Sequence, residues 1–168
     1  MILVDHDDVE VGRVDRDLAH RQGLLHRAVS VFIFNDLDEL LLQRRAPSKN
    51  GFAGKWANTC CTHPRPGETV VAAGERRLHE EMGLTVALEH VGTFVYRAED
   101  QHSGYVEHEL DHVLVGRTGA TPSPDPHEAD DYRWVALEEL RTMVSGQEYA
   151  PWLRQTLIEF PGLGRIWL

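Results

Sequence analysis

The sequence predicts an α/β fold, a sandwich in which helices cover both sides of a mixed β-sheet. Runs rich in β-branched and aromatic residues recur along the chain and predict strands. Helical patterns lie between these runs without alternating strictly with them, and one long helix follows a loop that contains glycine. Since 42% of the residues are apolar, the layers can enclose a core.

Five elements are predicted in the N-terminal part of the chain. Residues 2–14 predict a hairpin with an acidic turn, and residues 15–22 predict a short helix whose first aspartate is its N-cap. The apolar runs 28–34 and 39–43 flank a polar turn and predict a pair of strands. Residues 46–56 predict a loop, because proline and glycine interrupt them and basic residues are interleaved.

The clearest helical pattern runs from Glu68 to Met82, and Gly83 supplies its C-terminal stop. One buried stripe is predicted at positions i, i+3, i+7 and i+11: Val71, Gly74, Leu78 and Met82. On a neighbouring face, Arg77 and Glu81 lie one turn apart. Spacing alone leaves two interpretations of that face open, a functional surface or a solvated face with ordinary ion pairs.

Two further strands are predicted at residues 90–96 and 105–115. In the second strand, alternation places Glu107, Glu109 and Asp111 on one face, opposite a face of mixed apolar residues and histidines. A strand of this kind is not a simple core strand, because acidic residues recur on one of its faces.

The C-terminal part is predicted to contain a loop, a strand and two helices. Residues 117–131 are rich in proline and predict the loop, and residues 132–135 predict a short strand. A helix over residues 137–144 is expected to end at Gly146. The last helix, residues 151–160, begins with proline, which is tolerated at a first helical position.

Composition and charge exclude several classes of function. The length of 168 residues predicts one domain over residues 1–168. The net charge of -10 argues against nucleic-acid binding, although a small phosphorylated substrate needs only a local basic cluster. No apolar stretch approaches the roughly 20 residues that span a bilayer, so we expect a cytosolic protein without a membrane partner. The two cysteines are adjacent, which disfavours a mutual disulfide and fits a reducing compartment.

Three histidines and two glutamates are candidate metal ligands: His20, His26, His63, Glu107 and Glu109. Imidazoles with carboxylates suit Mn²⁺, Zn²⁺ or Mg²⁺, and the oxygen ligands favour a coordination number above four. The alternative is that these are ordinary surface histidines, because the chain contains ten and the five positions are far apart.

A cysteine is the candidate reactive group. Its default role is that of a buried structural residue, since reactivity requires a shifted pKa or an acid-base partner. His63 and a nearby metal ion could supply such surroundings to Cys61, and position alone leaves Cys60 open as well.

A phosphate group could be bound by Arg45, Lys49 and Arg77, because the arginine guanidinium donates two hydrogen bonds to phosphate in one plane. A second metal ion could then be held by Glu81. The alternative for each residue taken singly is a solvated surface charge.

The segment from Thr62 to Leu84 resembles the Nudix box. It departs from that motif at Thr62, where glycine is usual, and at Arg77, where glutamate is usual. The second departure removes a carboxylate that pyrophosphohydrolases of the Nudix type use for their metals. This weakens the interpretation as a hydrolase.

The same departure is typical of the type 1 isopentenyl-diphosphate isomerases, which share the Nudix fold. Six further segments are similar to motifs of that family: residues 26–30, 44–49, 56–64, 96–98, 106–109 and 151–152. The resemblance extends from about His20 to Trp152, and it implies a Nudix-type α/β/α sandwich with a core of about residues 20–160.

The resemblance also implies roles for individual residues. The metal ligands would be His20, His26, His63, Glu107 and Glu109, and Glu81 would hold a Mg²⁺ ion that bridges to a substrate diphosphate. Cys61 and Glu109 would be the acid-base pair, assisted by Tyr96. Arg45, Lys49 and Arg77 would bind the diphosphate, and Trp152 could stabilise a carbocation. Arg16 stands where family members often carry lysine.

The expected function is therefore interconversion of isopentenyl and dimethylallyl diphosphate, a small-molecule reaction of isoprenoid biosynthesis. One alternative is a Nudix pyrophosphohydrolase, which would release phosphate or diphosphate and tolerate loss of Cys61. The other is a metal-dependent binding module without turnover. The sequence leaves open the native metal, the oligomeric state and which of Cys61 and Glu109 is the acid.

Overall fold

One mixed β-sheet organises the computed structural model, which describes residues 1–165. Within that range the sheet has nine strands: β1 Ile2–Val4, β2 Glu10–Arg13, β3 His26–Phe34, β4 Glu39–Arg45, β5 Trp56–Ala57, β6 Cys60–Thr62, β7 Glu89–Glu99, β8 Val106–Arg117 and β9 Ala129–Ala136. Four α-helices accompany it: α1 Arg16–Gln22, α2 Val70–Met82, α3 Leu137–Met143 and α4 Pro151–Glu159. A short 3-10 turn covers Leu163–Arg165. The predicted domain runs to residue 168, and its last three residues lie outside the described ones.

Strand β3 is the centre of the sheet. It pairs in parallel with β8 over nine residues, from His26 opposite Glu109 to Phe34 opposite Arg117. Its other partners β1, β4 and β6 are antiparallel, as are the pairs β7–β8 and β4–β9. The predicted mixture of strand directions is thus confirmed.

Helices cover both faces of this sheet. On one face Leu78 and Met82 of α2 pack against Val31 of β3 and Leu114 of β8. On the other face the residues of α3 and α4 pack against strand residues of opposite parity, including Phe32. Alternate residues of β3 enter different layers, and both faces of the strand are therefore apolar. The predicted α/β sandwich is confirmed.

Helix α2 confirms most of its sequence pattern. It begins at Val70, two residues later than predicted, because the Thr69 hydroxyl caps it by accepting from the Ala72 amide at 3.2 Å. It ends at Gly83, whose positive φ of 66° permits the stop. Gly74 lies against the sheet, where a Cβ atom would come within 2.5 Å of Leu114 Cδ1. Val71 is only half-buried, unlike the other three members of the predicted stripe.

The predicted end of one loop and the predicted stop of one helix were wrong, and two short strands were missed. The loop predicted to reach residue 131 ends earlier, because Ala129, Asp130 and Asp131 belong to β9. The Arg44 guanidinium neutralises those aspartates, lying 2.7 Å from Asp130 and 3.8 Å from Asp131, so a strand tolerates them. Helix α3 covers residues 137–143 of the predicted 137–144, and its C-cap residue is Val144, not the predicted Gly146. The short strands β5 and β6 were not predicted, since two or three residues are too few to display a period.

The hairpin of β1 and β2 and the helix α1 are confirmed, and the Asp15 carboxylate caps α1 by accepting from the Asp17 amide at 2.8 Å. Among residues 1–165, no helix is long and apolar enough to cross a bilayer.

Candidate active site

The parallel pairing of β3 with β8 brings the candidate metal ligands together. His26 lies opposite Glu109 in register, and Glu107 lies two residues earlier on the same face of β8. Helix α1 adds one histidine and the chain leaving β6 adds another. Five residues then have ligand atoms within 4.8 Å of one another, and we call them the His/Glu cluster: His20, His26, His63, Glu107 and Glu109.

Two main-chain carbonyls fix the tautomers of the fully buried histidines. His20 Nδ1 lies 2.7 Å from Arg16 O, and His26 Nδ1 lies 2.8 Å from Leu24 O. A carbonyl oxygen can only accept a hydrogen bond, so the proton of each neutral ring is on Nδ1. Each Nε2 atom therefore presents its lone pair to the cluster, which is the arrangement that metal ligation requires.

The cluster contains buried polar atoms without partners. His20 Nε2, His26 Nε2 and Glu107 Oε2 have no hydrogen-bond partner among residues 1–165, although His20 Nε2 lies 3.1 Å from Glu107 Oε2. Buried polar atoms without a partner are costly. A divalent cation satisfies nitrogen and carboxylate lone pairs together, so these residues fit a metal ion.

Glu109 connects the cluster to the rest of the cavity. Its Oε1 atom lies 3.0 Å from His63 Nε2 and 3.4 Å from His26 Nε2, while the Tyr96 hydroxyl donates to Oε2. Burial raises the pKa of the Glu109 carboxyl, but the neighbouring rings of His26 and His63 outweigh burial and hold the pKa well below the usual range. Burial and the Glu109 charge raise the pKa of Tyr96 well above its usual value. Tyr96 therefore remains a hydrogen-bond donor.

The two cysteines lie on opposite faces of β6. The Cys61 side chain lines the same cavity as Glu109 and Tyr96, while Cys60 is fully buried in the core beneath α2. Burial and the Asp111 charge raise the pKa of Cys61 to about 12, so the thiol is protonated at neutral pH. Strand alternation, which the sequence could not establish over three residues, separates the two thiols.

Three residues around Cys61 were not predicted as part of the site. Asn58 Oδ1 accepts from the thiol at 3.3 Å and from Trp152 Nε1 at 2.9 Å. On the other side, Ser30 Oγ lies 3.5 Å from Sγ and donates to Asp111 Oδ2 at 2.7 Å. Burial and the charge of Glu109 raise the pKa of Asp111 well above its usual range. Two of these residues had a signal in the sequence. Alternation along β8 placed Asp111 on the same face as Glu107 and Glu109, and Asn58 lies in the segment that contains both cysteines.

The three predicted phosphate-binding residues Arg45, Lys49 and Arg77, which we call the cation wall, line the other end of this cavity of about 590 Å³. Lys49 Nζ and Arg77 Nη2 both contact Glu128 Oε2, the second at 2.7 Å. Arg45 Nη2 donates to Gly51 O at 2.8 Å. Glu128 was missed because it lies in a loop without a recognisable pattern.

Glu81, the predicted ligand of a diphosphate-bound Mg²⁺, lies beneath the cation wall and is only 3% exposed. Arg77 Nε lies 2.7 Å from its Oε1, and Gln43 Nε2 donates to its Oε2 at 2.8 Å. Burial raises its pKa despite the Arg77 charge. Arg16, in contrast, lines the cavity as expected for a residue that can reach a bound anion.

Comparison with known proteins shows to which family the chain belongs. A model of the NUDIX domain matches residues 24–156. The isopentenyl-diphosphate Delta-isomerase 1 of Aromatoleum aromaticum is 46% identical over 168 residues, which is all of this chain and 87% of that protein. The isopentenyl-diphosphate Delta-isomerase of Halorhodospira halophila is 47% identical, with 96% of this chain and 94% of that protein covered. The chain belongs to this isomerase family, within the NUDIX superfamily. The resemblance found in the sequence is confirmed.

Solved structures confirm the fold. A crystal structure of a Deinococcus radiodurans protein has a TM-score of 0.77 and 24% identity, and covers 94% of this chain and 96% of its own. The MutT protein of Methanosarcina mazei has a TM-score of 0.69 and 22% identity, with 84% of this chain and 96% of its own covered. The Nudix-type sandwich predicted from the sequence is therefore correct. The family and the His/Glu cluster together indicate that the protein binds a divalent metal ion.

Proposed function

We propose that the protein interconverts isopentenyl diphosphate and dimethylallyl diphosphate in isoprenoid biosynthesis. The observation that carries this proposal is the common cavity into which the Cys61 thiol and the Glu109 carboxyl both open, between the His/Glu cluster and the cation wall. Full-length relatives named isopentenyl-diphosphate Delta-isomerase support the same activity.

The reaction moves a double bond by adding a proton to one carbon and removing a proton from another, with a tertiary carbocation between the two steps. Two proton-transfer groups are needed, and we assign them to Cys61 and Glu109. The reaction is reversible, so the two groups exchange roles with its direction, and the pair must hold one transferable proton between them. The Tyr96 hydroxyl donates to Glu109 and orients its carboxyl group.

An aromatic wall suits the cationic intermediate. Trp152 is 3% exposed and lines the cavity, with Phe52 packed edge-on at 5.1 Å and the Tyr96 ring at 6.5 Å between centroids. The face of an indole attracts a cation electrostatically. Water would trap the carbocation as an alcohol, and a buried aromatic surface excludes it.

We assign the His/Glu cluster to a Mn²⁺, Zn²⁺ or Mg²⁺ ion. When bound, this ion supplies positive charge next to Glu109. Glu81 is proposed to hold a Mg²⁺ that arrives with the diphosphate, and its contacts with Arg77 and Gln43 would then be exchanged. The cation wall, with Arg16, is proposed to bind the diphosphate, because guanidinium groups match phosphate oxygens in geometry and charge.

Location and organisation remain predictions. Two free thiols support a reducing, cytosolic compartment. The net charge of -10 supports a small-molecule rather than a nucleic-acid partner. Coverage of residues 24–156 by one family model is compatible with the predicted single domain.

The deciding experiment is proton NMR of isopentenyl diphosphate incubated with the purified protein, Mg²⁺ and Mn²⁺ or Zn²⁺ in D₂O. We expect dimethylallyl diphosphate that carries deuterium. Release of phosphate or diphosphate would favour the pyrophosphohydrolase alternative. Arg77 argues against that alternative, because it stands where the Nudix box usually has a metal-binding glutamate. Intact, unlabelled substrate would favour a binding module.

A further inference from the structure

We propose that Asn58 is a positioning residue that holds the Cys61 thiol and the Trp152 indole in a fixed relation through one shared carbonyl oxygen. This inference rests on the proposed function, because it concerns the group that transfers the proton and the ring that faces the carbocation. Asn58 itself is fully buried behind these two side chains, which line the cavity.

The shared oxygen is Asn58 Oδ1. It accepts from Cys61 Sγ at 3.3 Å and from Trp152 Nε1 at 2.9 Å. The thiol belongs to β6 and the indole to α4, so one acceptor joins two elements that are remote in the chain. An oxygen with two lone pairs can accept both bonds at once, and each bond then restricts the position of the other donor.

The amide group is itself fixed. Asn58 Nδ2 donates to Val31 O at 3.0 Å and to Cys60 O at 2.9 Å. Rotating the amide by half a turn would place its N–H groups against the two donors and its oxygen against the two carbonyls. All four hydrogen bonds would be lost at a site without solvent, so Oδ1 has one orientation.

The second neighbour of the thiol does not provide the same control. Ser30 Oγ lies 3.5 Å from Sγ, and its own hydrogen is committed to Asp111 Oδ2 at 2.7 Å. Asn58 Oδ1 is therefore the nearer of the two acceptors for the S–H group. Proton transfer is sensitive to displacements of about an ångström, so the orientation of the S–H bond contributes directly to the rate.

A merely structural amide would satisfy the Val31 and Cys60 carbonyls and do nothing more. The two roles differ in what they predict for Trp152. Cys61 also packs against the apolar cluster that contains the indole, so a structural role predicts a shift without a fixed sign. A shared acceptor predicts shifts of opposite sign when the donor at position 61 is removed and when it is strengthened. That response can be measured without turnover.

The first experiment follows the Trp152 Nε1–H resonance in ¹H–¹⁵N spectra of the whole protein, assigned by its loss in Trp152→Phe. In Cys61→Ala the oxygen is left to the indole alone, and we expect a downfield shift. In Cys61→Ser a stronger donor competes for the same oxygen, and we expect an upfield shift. Cys60→Ala is the matched control and leaves the resonance in place. Shifts of equal sign in both Cys61 variants, or none in either, would overturn the shared acceptor.

The second experiment is kinetic. Asn58→Ala is expected to lower kcat at least tenfold while KM changes less than twofold, since the side-chain hydrogen bonds of Asn58 go to Val31 O, Cys60 O, Cys61 and Trp152 and not to Arg45, Lys49 or Arg77. Asn58→Asp keeps a carbonyl acceptor once burial has made its carboxyl neutral, and it should restore part of kcat. A folded Asn58→Ala protein with wild-type kcat contradicts the proposal. If that variant does not fold, the resonance shifts decide. They also separate this inference from the proposed function, because a wild-type protein without turnover would refute the function and leave the shift test standing.

Discussion

At one end of the cavity, buried nitrogen atoms of His20 and His26 face inward without a hydrogen-bond partner in the described part of the chain. At the other end, Lys49 and Arg77 already share the carboxylate of Glu128. A cation that enters the His/Glu cluster meets free lone pairs, whereas an anion that enters the cation wall must displace a carboxylate.

This difference separates two ways of preparing a binding site. In the His/Glu cluster, main-chain hydrogen bonds hold His20 and His26 with their Nε2 atoms unsatisfied, so a bound cation adds interactions there and replaces only the contact between His63 and Glu109. In the cation wall, ion pairs stabilise the free protein, and binding exchanges one anion for another. We therefore expect substitutions to have larger effects at the first end than at the second.

The largest effect is expected at the acid-base pair. Cys61→Ala and Glu109→Gln should each lower turnover by about 10³-fold or more, because each removes one of the two proposed proton-transfer groups. The rate of deuterium incorporation by NMR measures this, and circular dichroism should show an intact fold. Cys60→Ala, which changes the same residue type on the other face of β6, should retain turnover. Full activity in either of the first two variants would contradict the assignment of Cys61 and Glu109 as the acid-base pair.

Removal of metal should come next. Chelation should abolish turnover and lower the melting temperature, because buried atoms of His20, His26 and Glu107 are then left without a hydrogen-bond partner in the described part of the chain. A metal ion at 100 times its Kd stabilises the folded state by about 2.7 kcal/mol. Calorimetry should show that the metal-dependent rise in Tm is lost in His20→Ala and kept in His79→Ala. A rise that survives in His20→Ala would place the metal elsewhere.

A smaller effect is expected from single members of the cation wall. Lys49→Gln should raise KM by about tenfold and leave kcat nearly unchanged, because one charge-assisted contact to the diphosphate is lost in bound substrate and transition state alike. Lys55→Gln is the control from the same loop, since Lys55 donates to Gln147 O. Steady-state kinetics measures both. A loss confined to kcat would contradict a binding role.

The smallest effect, with the opposite sign, is expected at Glu128. Glu128→Gln removes the anion that neutralises Lys49 and Arg77, so inorganic diphosphate should bind a few-fold more tightly in calorimetric titrations. Glu138→Gln makes the same charge change on an exposed position of α3 and should have no effect. Weaker binding in Glu128→Gln would mean that the carboxylate organises the cations instead of competing for them.

The sequence predicted the layers of the fold because long elements display their period. Leu78 and Met82 of α2 follow the helical repeat, and alternate residues of β8 enter different layers, Val113 and Val115 one and Leu114 the other. The five residues of the His/Glu cluster were candidates by residue type, and the family resemblance favoured them over ordinary surface histidines, since they come from α1, β3, β8 and the chain after β6. Only the parallel pairing of β3 with β8 brings them together, and local spacing does not contain that pairing.

Other parts of the site depend on geometry that sequence patterns do not express. The sequence position alone did not show whether Cys60 or Cys61 is the reactive cysteine, whereas in the structure the two lie on opposite faces of β6. The proposed role of Asn58 depends on the direction of its side-chain carbonyl oxygen, which accepts from Trp152. The contact of Glu128 with Lys49 depends on the path of the loop that carries Glu128. The predicted contact of Glu81 with a second metal ion stays a prediction.

The tautomers of His20 and His26 have an evolutionary consequence. Their acceptors are the carbonyls of residues 16 and 24, which every amino acid supplies, so replacements of those side chains leave the acceptors in place. Selection would instead act on the course of the backbone. Gly23 ends α1 with a φ of 61°, and a Cβ atom there would come within 3.1 Å of Val106. The two proposed ligands therefore tolerate side-chain changes at positions 16 and 24, whereas position 23 tolerates little besides glycine.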